Sequence, residues 1–306
     1  MQVRTVAILS PGDMGHATGN VLREGGLRVV TCLRGRSERT RGLAEQAGIE
    51  DLTDLDSLVR ESEIVLSIVA PAHARQVAES IAAAVQRTHS SPLFVDCNAV
   101  SPMTVKGIAR VIAATGARFA DVGIIGNPPK PGPQATRYYV SGEHAEEVAG
   151  LSSHGLDVRV VGSEAGQASA LKMCYAALTK GLTALATELH VAAEASGMSE
   201  PLRAELELSQ RELLQWIRRM VPTMPAKAWR WIGEMEEIAD TFDSLGLTPK
   251  MLQGAADMYR LAEQAPEPGA SLEDVVVALA GLTRPRAPAA SAPSAAGSGR
   301  ARSKAD

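Results

Sequence analysis

The chain has 306 residues, enough for two domains that each bury a core, and 45% are hydrophobic, which excludes a wholly disordered protein. Thirty-five acidic against 31 basic residues leave a net charge of -4, which gives no reason to expect nucleic acid or an anionic membrane as a partner. Cys32, Cys97 and Cys174 lie far apart without metal-ligand spacing, so the expectation is a reduced, cytoplasmic setting and no metal site.

The N-terminal residues run straight into a strand pattern with no signal-peptide layout, and no stretch is apolar for long enough to span a bilayer. The first half predicts strands at Val3–Leu9, Arg28–Leu33, Ile64–Ile68, Leu93–Asp96 and Arg118–Val122, with helices near 14–25, 37–47, 72–87 and 102–115 between them. That alternation predicts an α/β Rossmann domain with a doubly wound, mostly parallel sheet over residues 1–162. Short β-like runs at Arg137–Ser141 and Val158–Val161 finish the sheet. From Ser163 to Leu282 the pattern is all-helical, the second domain. Residues 165–195 lack proline and predict one helix about 45 Å long. Pro201, Pro249 and Ser271 mark further helix starts, Pro222 and Pro225 interrupt the pattern, and Trp229–Ser244 resumes it. Residues 283–306 are rich in Ala, Pro, Ser and Gly and predict a disordered tail.

The sharpest motif is Ser10, Pro11, Gly12, Asp13, Met14 and Gly15, directly after the first strand and opening a helix. It is the setting of a dinucleotide fingerprint, where backbone N–H groups approach a pyrophosphate. Gly12 permits that approach and Gly15 allows helix and strand to pack closely, while Ser10 replaces the usual first glycine. At the end of the second strand, where an acid would bind the ribose 2′-hydroxyl, stand Arg34, Gly35, Arg36 and Ser37. Two guanidinium groups and a hydroxyl suit a 2′-phosphate, so NADP(H) is expected, with NAD(H) possible. Val69, Ala70 and Pro71 end the third unit and line the cofactor. Asn98 is placed for the carboxamide or for substrate; Ser101 has the same placement, or caps the helix that Pro102 begins.

These features resemble the β-hydroxyacid dehydrogenase family, which includes 6-phosphogluconate and 3-hydroxyisobutyrate dehydrogenases. The order of motifs is similar to about residue 282: the fingerprint with its Met14–Gly15 pair, the basic loop, the proline-ended loop, Ala120–Gly126 in the place of the substrate loop, and the glycine-led segment Gly162–Lys172. The C-terminal half, with Arg230–Ile238, looks like a less characterised branch with a divergent helical domain. The resemblance implies that Lys172 is the general acid/base for the substrate oxygen. It implies substrate contacts at Gly123 and Ile124, and in the helix Tyr175 and Thr179 take the places beside Lys172. Where the family usually has asparagine, four residues after the lysine, this chain has Ala176. Together with Ile124 and Ile125 in the loop, that points away from 6-phosphogluconate toward a bulkier or less polar carbonyl or alcohol. Lys180 lies about 80° around the same helix from Lys172.

The expected activity is hydride transfer between NADP(H) and a 3-hydroxy acid or related alcohol or carbonyl, with a small molecule as partner and a homodimer formed through the helical domain. The alternatives are an imine reductase and a non-catalytic NADPH-binding sensor. Trp216, Trp229, Trp231 and Tyr259 read as core residues. His190 and Glu194, an i,i+4 pair, read as a solvated face rather than as metal ligands.

Overall fold

Apolar runs bounded by Gly, Asp or Ser become strands, and the amphipathic stretches between them become the covering helices. In this computed structural model, which describes residues 3–133, 135–265 and 271–283, the order is β1 (Thr5–Leu9), α1 (Asp13–Glu24), β2 (Arg28–Thr31), α2 (Glu38–Gln46), β3 (Glu50–Asp51), α3 (Leu55–Glu61), β4 (Ile64–Ser67), α4 (Ala74–Thr88), β5 (Leu93–Asp96), α5 (Pro102–Ala113), β6 (Arg118–Ile125), β7 (Arg137–Ser141), α6 (Ala145–Ala149) and β8 (Asp157–Gly162). The expected tail lies outside the described residues apart from Thr283.

The strands form one sheet in the order β3-β2-β1-β4-β5-β6-β7-β8. Every pairing is parallel except β6 with β7, whose register runs Asp121 opposite Ser141 to Ile125 opposite Arg137. The order reverses at β1, between β2 and β4, so a crevice opens at the carboxyl ends of those strands. Strand side chains alternate between faces. Val6, Ile8, Val122 and Ile124 therefore join a core beneath α1, while Ala7, Leu9, Val65 and Phe94 join another beneath α4 and α5.

The sequence pattern did not predict β3, α3 or α6. β3 is only two exposed residues held by pairing with β2, which leaves no periodic signal. β6 continues three residues beyond the predicted Val122, because β7 pairs along it to Ile125.

The helical region follows: α7 (Gln167–Ala195), α8 (Ser199–Ser209), α9 (Arg211–Met220), α10 (Ala228–Ser244), α11 (Lys250–Glu263) and α12 (Leu272–Ala280). Pro201 sits in the first turn of α8, and Pro222 and Pro225 start two short 3₁₀ turns between α9 and α10. Ser271 opens α12 with a capping box to Asp274. A third core joins α7, α10, α11 and α12 around Met173, Trp231, Met235 and Tyr259, and Trp216 packs against it. Trp229 departs from the core reading and is 60% exposed. Among the described residues no helix is long and apolar enough to cross a membrane.

Candidate active site

β1 ends at Leu9, and the chain must turn at once to enter α1. Ser10 makes that turn in the left-handed region, at φ 62°, a conformation that favours glycine. The Gly12 N–H donates to the Ser10 carbonyl at 2.7 Å, and α1 then starts without a side-chain cap. A Cβ on Gly12 would meet nothing within 4 Å, so space lies in front of the helix start. A Cβ on Gly15 would stand 2.7 Å from the Ser10 carbonyl oxygen and 3.2 Å from an Ile8 methyl. The two glycines thus do different work: one leaves room, the other lets α1 press on β1. Asp13 places a carboxylate at the same helix end, and Arg39 of α2 forms an ion pair with it.

At the end of β2, the Arg36 N–H closes a turn onto the Leu33 carbonyl at 3.0 Å, with Gly35 at φ 73°. Arg34 is exposed and Arg36 half-buried, and neither guanidinium has a hydrogen-bond or ion-pair partner among the described residues. Ser37 caps α2, accepting the Thr40 N–H at 3.3 Å. β3 brings up Asp51, whose carboxylate accepts the Leu33 N–H at 2.8 Å. Val69, Ala70 and Pro71 are partly exposed at the end of β4. Asn98 is 2% exposed. Its amide accepts the Val69 N–H at 2.7 Å and donates to Ser67 Oγ at 3.1 Å, so its side chain ties the β4 and β5 loops together. Ser101 caps α5 through the Thr104 N–H at 3.2 Å.

Lys172 lies in the second turn of α7, held against β6. A Cβ on Gly123 would fall 2.6 Å from the Ala168 carbonyl oxygen and 3.0 Å from Lys172 Cβ, so only glycine allows this approach. The buried Asp121 carboxylate fixes the start of α7. It accepts the N–H of Gly166 at 3.0 Å and of Ser169 at 2.9 Å, and the hydroxyls of Ser169 at 2.7 Å and Ser141 at 3.2 Å. Burial pushes the Lys172 ammonium below its ordinary pKa; Glu234 opposes that shift, Lys180 adds to it, and Asp96 opposes it weakly. Glu234 on α10 pairs with Lys180 Nζ at 2.7 Å, and Arg230 stands 3.6 Å from its other oxygen. Burial works to raise the Glu234 pKa, but Lys180 and Lys172 outweigh it and hold the carboxyl low. Asp96, at the end of β5, is wholly buried, and its Oδ2 has no hydrogen-bond partner among the described residues. Burial, with Asp121 adding, pushes it up to about 7.

Residues 5–146 match the NAD binding domain of 6-phosphogluconate dehydrogenase, and residues 193–262 match a domain of unknown function, DUF1932. An uncharacterized 28.5 kDa protein of Methanothermus fervidus is 30% identical over 239 residues, covering 78% of this chain and 91% of that protein. The chain belongs to the β-hydroxyacid dehydrogenase family. A conserved protein of unknown function, described as structurally similar to 3-hydroxyacid dehydrogenases, is 29% identical with a TM-score of 0.64, over 84% of this chain and 97% of that one. Mycobacterium tuberculosis 3-hydroxyisobutyrate dehydrogenase shares the fold at 18% identity, with a TM-score of 0.66, over 92% of this chain and all of its own. This family member therefore carries a nicotinamide-dinucleotide-binding region, and the residues fit such a cofactor. Gly12 leaves the open space, the first turn of α1 faces it, and Arg34 and Arg36, unpaired among the described residues, follow the neighbouring strand β2.

Two expectations about substrate contacts change. Ile124 is 7% exposed and belongs to the core on the α1 side of the sheet, because β6 continues as a strand and its side chains alternate. It faces away from Lys172, while Asp121 and Gly123 face α7. Ile124 therefore gives no ground for a less polar substrate. Gly123 meets Lys172 through backbone packing. Tyr175 is half-exposed one turn along α7, and the Thr179 hydroxyl donates back to the Tyr175 carbonyl at 3.2 Å. Ala176 faces the helical core. His190 Nδ1 lies 2.8 Å from the Ala186 carbonyl, and Glu194 accepts from Ser199 Oγ at 2.6 Å. The sequence reading missed Asp121, Asp96 and Arg39. It placed Lys180 and Glu234 on helices without bringing them together, since their spacing of 54 positions carries no such signal. Glu237, one turn from Glu234, accepts the Ser101 N–H at 2.7 Å and the Thr104 hydroxyl at 3.1 Å, and so docks α10 on α5.

Proposed function

We propose that this chain is an NADP(H)-dependent oxidoreductase acting on a 3-hydroxy acid or a related alcohol or carbonyl, with Lys172 as general acid/base. The observation that carries the reading is the setting of Lys172: clamped on β6 by Gly123 and the Asp121 cap, and pushed toward its neutral form by burial. The cofactor, when bound, supplies or accepts the hydride. Ser10–Met14 hold its pyrophosphate at the start of α1, and Arg34, Arg36 and Ser37 receive the 2′-phosphate. In the reducing direction the Lys172 ammonium gives its proton to the carbonyl oxygen; in the oxidising direction the neutral amine takes the hydroxyl proton. Burial lowers the lysine's pKa and so eases the exchange between its two forms, and its partial exposure lets it exchange protons with solvent.

Residues 1–162 serve as the cofactor domain and 163–282 as the substrate domain. A homodimer through α7 fits the exposed stripe of Leu171, Tyr175, Leu178 and Leu185. Retention of Lys172 favours alcohol and carbonyl chemistry over imine reduction. The deciding experiment is a fluorescence titration with NADPH and NADH, followed by turnover of a 3-hydroxy acid panel by the wild type and Lys172→Ala. Tight NADPH binding, weak NADH binding and loss of several orders of turnover in the variant are expected. Equal turnover by the variant, or no cofactor binding, overturns the reading.

A further inference from the structure

The carboxylate that acts most strongly on Lys172 is bonded elsewhere. Lys172, Ala176 and Lys180 follow one another at four-residue steps along α7, which sets the two lysines about 12 Å apart along the helix axis. Ala176 is 4% exposed and puts only a methyl group between them. Of the charges around Lys172, Glu234 of α10 has the largest effect on it, and Lys172 acts on Glu234 in turn. Yet both Glu234 oxygens face other cations. Oε2 meets Lys180 Nζ at 2.7 Å, and Oε1 faces Arg230 Nε at 3.6 Å. Lys172 itself has no hydrogen-bond or ion-pair partner among the described residues.

Lys180 is fixed in place by packed aromatics. The Tyr259 hydroxyl donates to the Lys180 carbonyl at 2.6 Å, and the Trp231 ring lies 5.7 Å from Lys180 Nζ. Trp231 in turn packs edge-on against Tyr259 at 5.3 Å. The side chains of Lys180 and Glu234 are only 16% and 10% exposed. Charges buried that far lose much of their mutual attraction to desolvation, and apolar side chains of similar size often serve a fold as well. Stability is thus a weak reason for the pair, whereas its effect on the neighbouring lysine is a strong one. A carboxylate within about 4–6 Å of a cation favours the charged form by about 1–3 pH units. If Glu234 turned to Lys172, it would offset the effect of burial and deplete the neutral amine that accepts a hydroxyl proton.

Asp96 and Cys97 also act on Lys172 from β5, and Asp121 lies beside Asp96 on β6. Burial keeps the Cys97 thiol protonated, and the Asp121 carboxylate is taken up by its four donors. Asp96, pushed up to about 7 by burial, changes charge in the same way whatever stands at position 180. Glu234 is therefore the counter-charge that position 180 controls.

We infer that Lys180 is a positioning residue for Lys172: by engaging Glu234 it keeps that carboxylate off Lys172 and leaves the reacting lysine without a counter-ion. The consequence for turnover rests on the proposed role of Lys172, whereas the state of its ammonium group does not.

The test titrates Lys172 by NMR in the full chain made with isotope-labelled lysine, its signal assigned by its loss in Lys172→Met. In Lys180→Met the Lys172 titration should move up by about one pH unit or more, as Glu234 turns to the remaining ammonium. A crystal structure of that variant should show Glu234 within ion-pair distance of Lys172 Nζ. Lys180→Arg, which still engages Glu234, should titrate as the wild type does, and Lys180→Met/Glu234→Gln should return to the wild-type value or below. Should Lys180→Met not fold by circular dichroism, Lys180→Gln replaces it; a neutral amide competes poorly with an ammonium for a carboxylate, so the same rise is expected. The pH profile of kcat for alcohol oxidation should move up with the titration. A titration that moves without the profile supports Lys180 as a positioning residue and removes Lys172 as the acid/base. An unmoved titration in the folded single variant, a rise that persists in the double variant, or a Glu234 that stays away from Lys172 overturns the inference.

Discussion

Adding one methyl group at Gly123 tests how closely Lys172 depends on the packing of α7 against β6. The new Cβ would lie 2.6 Å from the Ala168 carbonyl oxygen, where ordinary contact begins at 3.4 Å. Relief therefore needs about 0.8 Å of separation, and both atoms in conflict are close to backbone, so a side-chain rotation cannot provide it. Overpacking of this kind costs about 1–3 kcal/mol. The displaced helix carries Lys172, and misplacing a catalytic group by about 1 Å costs on the order of 100-fold in rate. The fingerprint lies on α1, away from this contact. Gly123→Ala should thus lower the melting temperature by a few degrees and kcat by about 100-fold, with the NADPH dissociation constant unchanged. Differential scanning calorimetry, steady-state kinetics and fluorescence titration measure the three quantities. Wild-type kcat in a folded Gly123→Ala protein would refute the clamp.

The fingerprint glycines should separate in the same way. Gly12→Ala should leave the melting temperature unchanged and weaken NADPH binding at least tenfold, because its Cβ meets only open space at an ordinary φ of -76°. Gly15→Ala should cost about 1–3 kcal/mol of stability in denaturant unfolding, because its Cβ strikes the Ser10 carbonyl. Replacing both Arg34 and Arg36 by Gln should weaken NADPH at least tenfold while changing NADH little; an equal loss of both cofactors would place the arginines outside the 2′-phosphate site. The Asp96 pKa is raised from 3.8 to about 7, so the folded chain holds an extra proton between those values and stability falls as pH rises through them. Asp96→Asn should flatten that fall, read from melting temperatures between pH 4 and 8.

Legibility in the sequence followed the range of the forces involved. β1, β2, β4 and β5 were readable because each is a short apolar run whose burial depends on its own residues. The α7 start was readable from its glycine-led segment, and Ser101 from its place before Pro102. The reversal between β6 and β7 was not, since alternation has the same period in either direction. Ile124 shows the sharpest limit. One position along a strand exchanges the two faces, so a motif aligned by resemblance can point its side chains into the core and not at the substrate. Asp121 was in plain view inside the same motif, but its task as the cap of α7 depends on a helix start 45 residues later. The Lys180–Glu234 pair likewise needed α7 and α10 to meet.

The same long-range assembly makes Lys172 a cost to the fold. Its folded-state pKa lies below the ordinary 10.5, chiefly through burial, so between the two values the folded chain binds fewer protons than the unfolded one. Stability of the wild type therefore rises with pH through that window, and the full cost of the buried charge is present below the folded pKa. Lys172→Met keeps the aliphatic bulk and removes the charge. Glu234 retains Lys180 as partner, so the substitution orphans no carboxylate. The variant should be more stable than wild type at pH 6, with the gap closing toward pH 10, in urea unfolding followed by circular dichroism. A less stable variant at pH 6 would mean that Lys172 serves the fold by pairing with Glu234, and that its strained setting has been misjudged. A more stable and inactive one would be the expected signature of a lysine held where chemistry, and not folding, requires it.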